Sequence, residues 1–141
     1  MKRTASAIWR GDLKAGNGAI STDSGVLKDT QYSFSTRFEN GIGTNPEELI
    51  AAAHAGCFSM AFSAELGKAG ITPDSIQTTA TITLEKTDAG FTVTASHLDV
   101  TAKIPGAEKA KALQIAEAAK AGCPISRLLK ANITMDAKVE T

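Results

Sequence analysis

Two cysteines, Cys57 and Cys123, are the side chains of this sequence best suited to covalent chemistry. A thiolate is a nucleophile, a metal ligand and a redox centre, and its reactivity is set by its surroundings. A small secreted scaffold would carry more cysteines as staples than the two present in these 141 residues. The pair is therefore inert, metal-bound or redox-active, and the cysteine count leaves all three open.

Each sulfur has a legible neighbourhood. Cys57 closes the run "TNPEELIAAAHAGC" and sits in the middle of a helical pattern, where desolvation raises a thiol pKa. A reactive Cys57 thus requires a cation nearby. The arginines are Arg3, Arg10, Arg37 and Arg127, of which Arg37 precedes the Cys57 segment and Arg127 follows Cys123 by one helical turn. Cys123 stands immediately before Pro124, at the predicted N-cap of a short helix, where unsatisfied N–H groups and the helix dipole favour an anion. His54 and Cys57 form H-x-x-C and, with Cys123 and His97, define a possible zinc set. The paired ligand spacing usual for zinc is absent, as are a glycine-rich phosphate loop and a nucleophile elbow.

The elements that must position these groups follow from periodicity. "TASAIWRG" and "QYSFSTRFE" read as strands, punctuated by Gly11, Gly16, Gly18 and Gly25. In the second run Tyr32, Phe34 and Thr36 alternate with Ser33, Ser35 and Arg37, which places Arg37 on a strand face away from the aromatics. A long helix then opens at Asn45, with Pro46 in its first position and Glu48 in a capping-box position, and ends near Gly67 or Gly70. Its expected core stripe is Ile50, Ala53, Cys57, Ala61 and Ala64.

Beyond that helix, Ile76, Thr78, Ala80, Ile82 and Leu84 share one strand face, and "KTDAG" turns the chain back. The returning strand changes phase near Ser96 and His97, which predicts a bulge. "AEKAKALQIAEAAKAG" is a second helix, with Ala110, Leu113, Ile115 and Ala118 among its expected core positions and Gly122 as its stop. "PISRLLKA" is a short helix, and "NITMDAKVE" a final strand with Ile133, Met135, Ala137 and Val139 inward. The class is α+β with antiparallel sheet, in a single domain over residues 1–141.

Composition narrows the setting. Fifteen Lys plus Arg balance fifteen Asp plus Glu, so no field draws the chain to nucleic acid or to an anionic membrane. No run looks long enough to span a bilayer, which needs about 20 apolar residues, and "MKRTASAIWRGD" does not read as a signal peptide. A cytoplasmic protein is expected.

Four stretches, "STDSGVLKD", "TRFENGIGTNPEELIAAAHAGCFSMAF", "GITPDSIQTTA" and "KAGCPISRLLKANITMD", stand in the order found in the osmotically inducible protein C (OsmC) family. The resemblance covers nearly the whole chain and is closer to the OsmC branch than to the organic hydroperoxide resistance branch. It implies an intertwined homodimer with antiparallel sheets wrapped around central helices. It also implies a thiol-dependent peroxidase for organic hydroperoxides, needing an external dithiol and no cofactor. Cys57 matches the peroxidatic cysteine and Cys123 the resolving one. Arg37, in "TRFE", matches the activating arginine, and Glu47, in "NPEE", its carboxylate partner. Gly56 stands where some relatives have alanine.

One tension follows from these roles. Glu47 and Cys57 are ten residues apart, about 15 Å along a straight helix, too far for one arginine to serve both. Either the helix breaks between them, or Arg37 and Glu47 reach Cys57 from the other subunit, and the second is expected. Two other functions fit the residues without the resemblance: an apolar-ligand-binding protein and a zinc-binding structural protein, each with incidental cysteines. His54 and Arg127 are expected to be structural or surface groups.

Overall fold

A computed structural model describes all 141 residues, which group into two compact units, Met1–Leu49 and Ile50–Thr141.

The first unit begins with an antiparallel sheet of β1 (Ala5–Arg10), β2 (Asn17–Thr22) and β3 (Thr30–Tyr32), in that order. Gly18 lies between Trp9 and Tyr32 in the register, and the two rings close over it with centroids 5.5 Å apart. A Cβ there would collide with both rings, so glycine is what lets this aromatic pair form. The strand expected from Gln31 to Glu39 stops at Tyr32. The chain turns instead into a helix, α1 (Phe34–Phe38), which carries Arg37. The cause is local. Ser33 Oγ accepts from the Thr36 N–H at 3.2 Å and Thr36 Oγ1 accepts from the Ser33 N–H at 2.8 Å, a reciprocal cap that outweighs the alternation of aromatics.

The long helix α2 (Pro46–Lys68) runs unbroken for 23 residues. Asn45 Oδ1 accepts from the Glu48 N–H at 2.7 Å, while the Glu48 carboxylate takes the Thr44 hydroxyl at 2.8 Å rather than closing a reciprocal box. Asn45 Nδ2 also donates to the Thr36 carbonyl at 2.9 Å, which ties the start of α2 to α1. At the other end Gly70, with φ +75°, lets the Ile71 N–H reach back to the Leu66 carbonyl at 2.9 Å. Contrary to the sequence expectation, α2 is long and apolar enough by length and composition to cross a bilayer, with a mean hydropathy of 1.3. One stripe of it lines the core. Its buried residues are His54, Phe58, Phe62 and Leu66, and it includes Glu47, Glu48 and Glu65. The buried stripe is therefore rotated from the expected one: Cys57 and Ala61 flank it, and Ala53 and Ala64 are exposed. Bulk decides the rotation, since a phenylalanine buries far more apolar area than an alanine.

The second unit is built on a sheet of β4 (Ser75–Thr87), β5 (Gly90–Lys103) and β6 (Asn132–Glu140). β4 and β5 form an antiparallel hairpin whose even-numbered β4 residues face inward, as expected. The bulge falls at Thr94, between Val93 opposite Leu84 and Ala95 opposite Thr83, two residues before its expected place. It switches the inner face from Val93 to Ser96, Leu98, Val100 and Ala102.

Two helices, α3 (Lys109–Gly122) and α4 (Pro124–Leu128), follow before β6 joins β5 in parallel. The sheet is thus mixed rather than wholly antiparallel, because a helical crossover delivers the last strand in the direction of β5. Ile133, Met135, Ala137 and Val139 alternate inward along β6. On α3 the buried residues are Ala112, Ala116 and Ala119, with Ile115 partly buried, while Ala110, Leu113 and Ala118 are exposed. The core gathers Phe58, Phe62, Leu66, Leu98, Ile104 and Cys123, all fully buried.

Candidate active site

Cys57 lies on α2 beside the buried Phe58 and is itself half-buried. Cys123 is fully buried at the junction of two helices. Its N–H donates to the Ala119 carbonyl at 2.9 Å, closing α3, and its carbonyl accepts from the Arg127 N–H at 3.0 Å, opening α4. The fold brings these two sulfurs, 66 residues apart in sequence, to 2.8 Å, with the Cys123 thiol donating to Cys57. Both are free thiols.

The short helix serves a different sulfur from the one expected. The Cys123 side chain makes no cap bond. Instead the Ile125 N–H donates to the sulfur of Cys57 and favours its thiolate. Burial acts first and in the opposite direction, pushing the Cys57 thiol above the ordinary value, and the adjacent Cys123 adds to that rise. Within unit Ile50–Thr141 the balance favours the neutral thiol, so ionisation of Cys57 calls for a positive charge.

Arg37 and Glu47 meet within the first unit. The guanidinium Nε donates to Glu47 Oε1 at 2.7 Å and Nη2 to Oε2 at 3.0 Å, a two-point contact that fixes the plane of the arginine. Phe38 lies under the same group, 5.4 Å from the guanidinium carbon to the ring centre. A cleft of about 260 Å³ opens beside Arg37, walled by Trp9, Leu13, Tyr32, Phe34 and Phe38.

The four candidate zinc ligands do not assemble. His54 is fully buried, with Nδ1 2.6 Å from Ser96 Oγ and Nε2 2.7 Å from Ser126 Oγ, so both ring nitrogens are engaged. His97 is on the outer face of the sheet, with Nδ1 2.5 Å from Thr134 Oγ1 and Nε2 at 3.2 Å from Asp136 and 3.4 Å from Asp99. Arg127 is exposed. The serine partners of His54 carry no sequence signal, because Ser96 and Ser126 are 42 and 72 residues away and serines have no periodic pattern.

The comparisons agree with this architecture. Residues 39–138 match the family described as OsmC-like protein. The chain is 52% identical to Peroxiredoxin OsmC of Escherichia coli (strain K12) over 139 residues, covering 99% of this chain and 97% of the relative. It is 31% identical over 124 residues to the organic hydroperoxide resistance protein OhrB of Bacillus subtilis (strain 168), covering 87% and 88% respectively. Among solved structures, an organic hydroperoxide resistance protein from Elizabethkingia anophelis superposes with a TM-score of 0.72 at 26% identity, covering 100% of this chain and 98% of that one. With its mixed sheet, its long core helix and its facing cysteines, the chain belongs to the OsmC-like protein family.

Proposed function

We propose that this chain is a cysteine-dependent peroxidase that reduces organic hydroperoxides to alcohols. The observation that carries the proposal is the 2.8 Å separation of Cys57 and Cys123 as free thiols. A disulfide needs about 2.05 Å between sulfurs, so a movement of under about 1 Å joins them. The names of the E. coli and B. subtilis relatives support the same chemistry.

In the first step the Cys57 thiolate attacks the outer oxygen of ROOH. The O–O bond breaks, the leaving oxygen takes a proton to give ROH, and Cys57 is left as a sulfenic acid. In the second step Cys123 attacks that sulfur. The S–S bond forms, the hydroxyl leaves as water, and an external dithiol returns the pair to thiols.

The positive charge comes from Arg37, oriented by Glu47. Because α2 is continuous, Glu47 and Cys57 stand about 15 Å apart along it. The arginine that serves Cys57 is therefore assigned to a second copy of the chain, in a homodimer with composite sites. Arg37 stabilises the thiolate and the charge growing on the departing oxygen. The aromatic cleft beside Arg37 suits an alkyl or aryl tail better than hydrated hydrogen peroxide. Residues 1–141 act as one functional domain, and two thiols that must cycle suit the reducing cytoplasm.

The test is consumption of cumene hydroperoxide in the presence of dithiothreitol. Wild type turns over and Cys57→Ser does not, and one equivalent of peroxide produces a Cys57–Cys123 disulfide by mass spectrometry. Equal turnover by Cys57→Ser would refute the reading.

A further inference from the structure

Two hydroxyls from separate elements, Ser96 on β5 and Ser126 on α4, end on one imidazole in α2. The ring of His54 is fully buried, and burial holds its pKa below the ordinary histidine value. A neutral ring has one donor nitrogen and one acceptor nitrogen, and the serine hydroxyls rotate to complement whichever tautomer is present.

The position of this bridge is informative. His54 precedes Cys57 by one turn on α2, and Ser126 follows Cys123 by three residues through α4. The His54–Ser126 bond and the Sγ–Sγ contact are two rungs between the same pair of segments. Only the sulfur rung changes as the reaction proceeds. α4 has five residues, too few to hold its own shape, and Pro124, Arg127 and Leu128 on it are exposed. Its placement depends on the contacts it makes inward, at Cys123, Ile125 and Ser126.

We propose that His54 is a positioning residue: by holding Ser126 it seats α4 against α2, so that Cys123 Sγ stays within reach of Cys57 Sγ through both chemical steps. The inference rests on reading Cys57 and Cys123 as a redox pair.

What the bridge controls is a competition. The Cys57 sulfenic acid either reacts with the Cys123 thiol, giving disulfide and water, or meets a second ROOH, giving sulfinic acid and ROH. The first route depends on the effective concentration of Cys123, and the second on free hydroperoxide. Loosening α4 lowers the first and leaves the second unchanged.

The experiment compares wild type with Ser126→Ala, Ser126→Thr and His54→Gln, each checked for folding by circular dichroism. In glutathione redox buffers without peroxide, Ser126→Ala and His54→Gln lower the effective concentration of Cys123 toward Cys57 by about tenfold. With excess cumene hydroperoxide, the ratio of sulfinic acid to disulfide rises about tenfold in the same two variants. Ser126→Thr keeps the hydroxyl and behaves as wild type in both arms. If His54→Gln does not fold, Ser126→Ala carries the test, since it removes a single oxygen. A folded Ser126→Ala with wild-type values in both arms overturns the proposal. If wild type ignores the hydroperoxide while the glutathione arm still separates the variants, the peroxidase reading fails and the positioning role stands.

Discussion

Glu47 receives both forward-facing nitrogens of Arg37, Nε on one oxygen and Nη2 on the other, at 2.7 and 3.0 Å. Such a contact orients the guanidinium and leaves its remaining N–H groups free of Glu47, which the proposed mechanism uses at the substrate. A lysine in place of Arg37 would keep the charge and lose the plane.

That difference gives the first prediction. Arg37→Lys and Glu47→Gln each slow the reaction of Cys57 with cumene hydroperoxide, and Arg37→Ala slows it by about a hundredfold, the usual cost of losing a preorganised donor. Stopped-flow measurement of single-turnover oxidation reads each rate. On the proposed composite site, mixing unfolded Arg37→Ala and Cys57→Ser chains and refolding them together restores activity, since a mixed dimer would pair the intact Arg37 of one copy with the intact Cys57 of the other. Zero recovery from demonstrated mixed dimers would place both groups in one chain.

Thiol ionisation gives the second. Burial raises the Cys57 pKa within its own unit, so on the proposed mechanism ionisation at neutral pH depends on the positive charge of Arg37. Arg37→Ala therefore slows alkylation of Cys57 by iodoacetamide at pH 7 about tenfold, and the two rates converge at alkaline pH, where both thiols are ionised. Alkylation of the Cys123→Ser background, followed by mass spectrometry, isolates the Cys57 signal.

The third prediction concerns acid. His54 has a folded-state pKa depressed below the ordinary 6.5, so the unfolded chain binds a proton that the folded one refuses. Its contribution to stability is intact above pH 6.5 and declines as pH falls from there through the depressed folded value. Thermal unfolding followed from pH 7.5 to 5 shows Tm falling over this window. The His54→Gln variant, which has no titrating ring, loses that part of the slope.

The fourth is a core test. Phe58 and Phe62 are fully buried with ring centres 5.8 Å apart. Phe62→Ala removes most of one ring from a close-packed core and costs about 3–5 kcal/mol in urea unfolding, whereas Ala64→Ser, on the exposed face of the same helix, stays within about 0.5 kcal/mol.

The sequence carried much of this architecture because several signals are local. Asn45, Pro46 and Glu48 marked the start of α2, Gly67 to Gly70 bracketed its end, and the alternation of β4 and β6 revealed their inner faces. Where local signals compete, periodicity alone does not decide the element. Ser33 and Thr36 cap a helix in a stretch whose aromatics alternate like a strand, and the helix wins. On α2 the alanine-rich stripe has the helical spacing of a core face, yet Phe58 and Phe62 take the buried side because they bury more area. The direction of β6 and the partners of His54 were illegible, because both are set by contacts dozens of residues apart. The meeting of Cys57 with Cys123 belongs to that class too, and only the family resemblance pointed to it.

The late arrival of β6 bears on how the protein is made. Cys57 leaves the ribosome well before Cys123, and β6, the last strand, must still pair with β5 before the sheet is closed. In the interval before Cys123 emerges, a growing chain carries Cys57 without the second sulfur that meets it at 2.8 Å in the folded protein. A chain cut after Cys123 but before Asn132 keeps both sulfurs and lacks the parallel partner of β5, whereas one cut between the two cysteines keeps Cys57 alone and, on the proposed chemistry, has no second thiol to trap it as a disulfide.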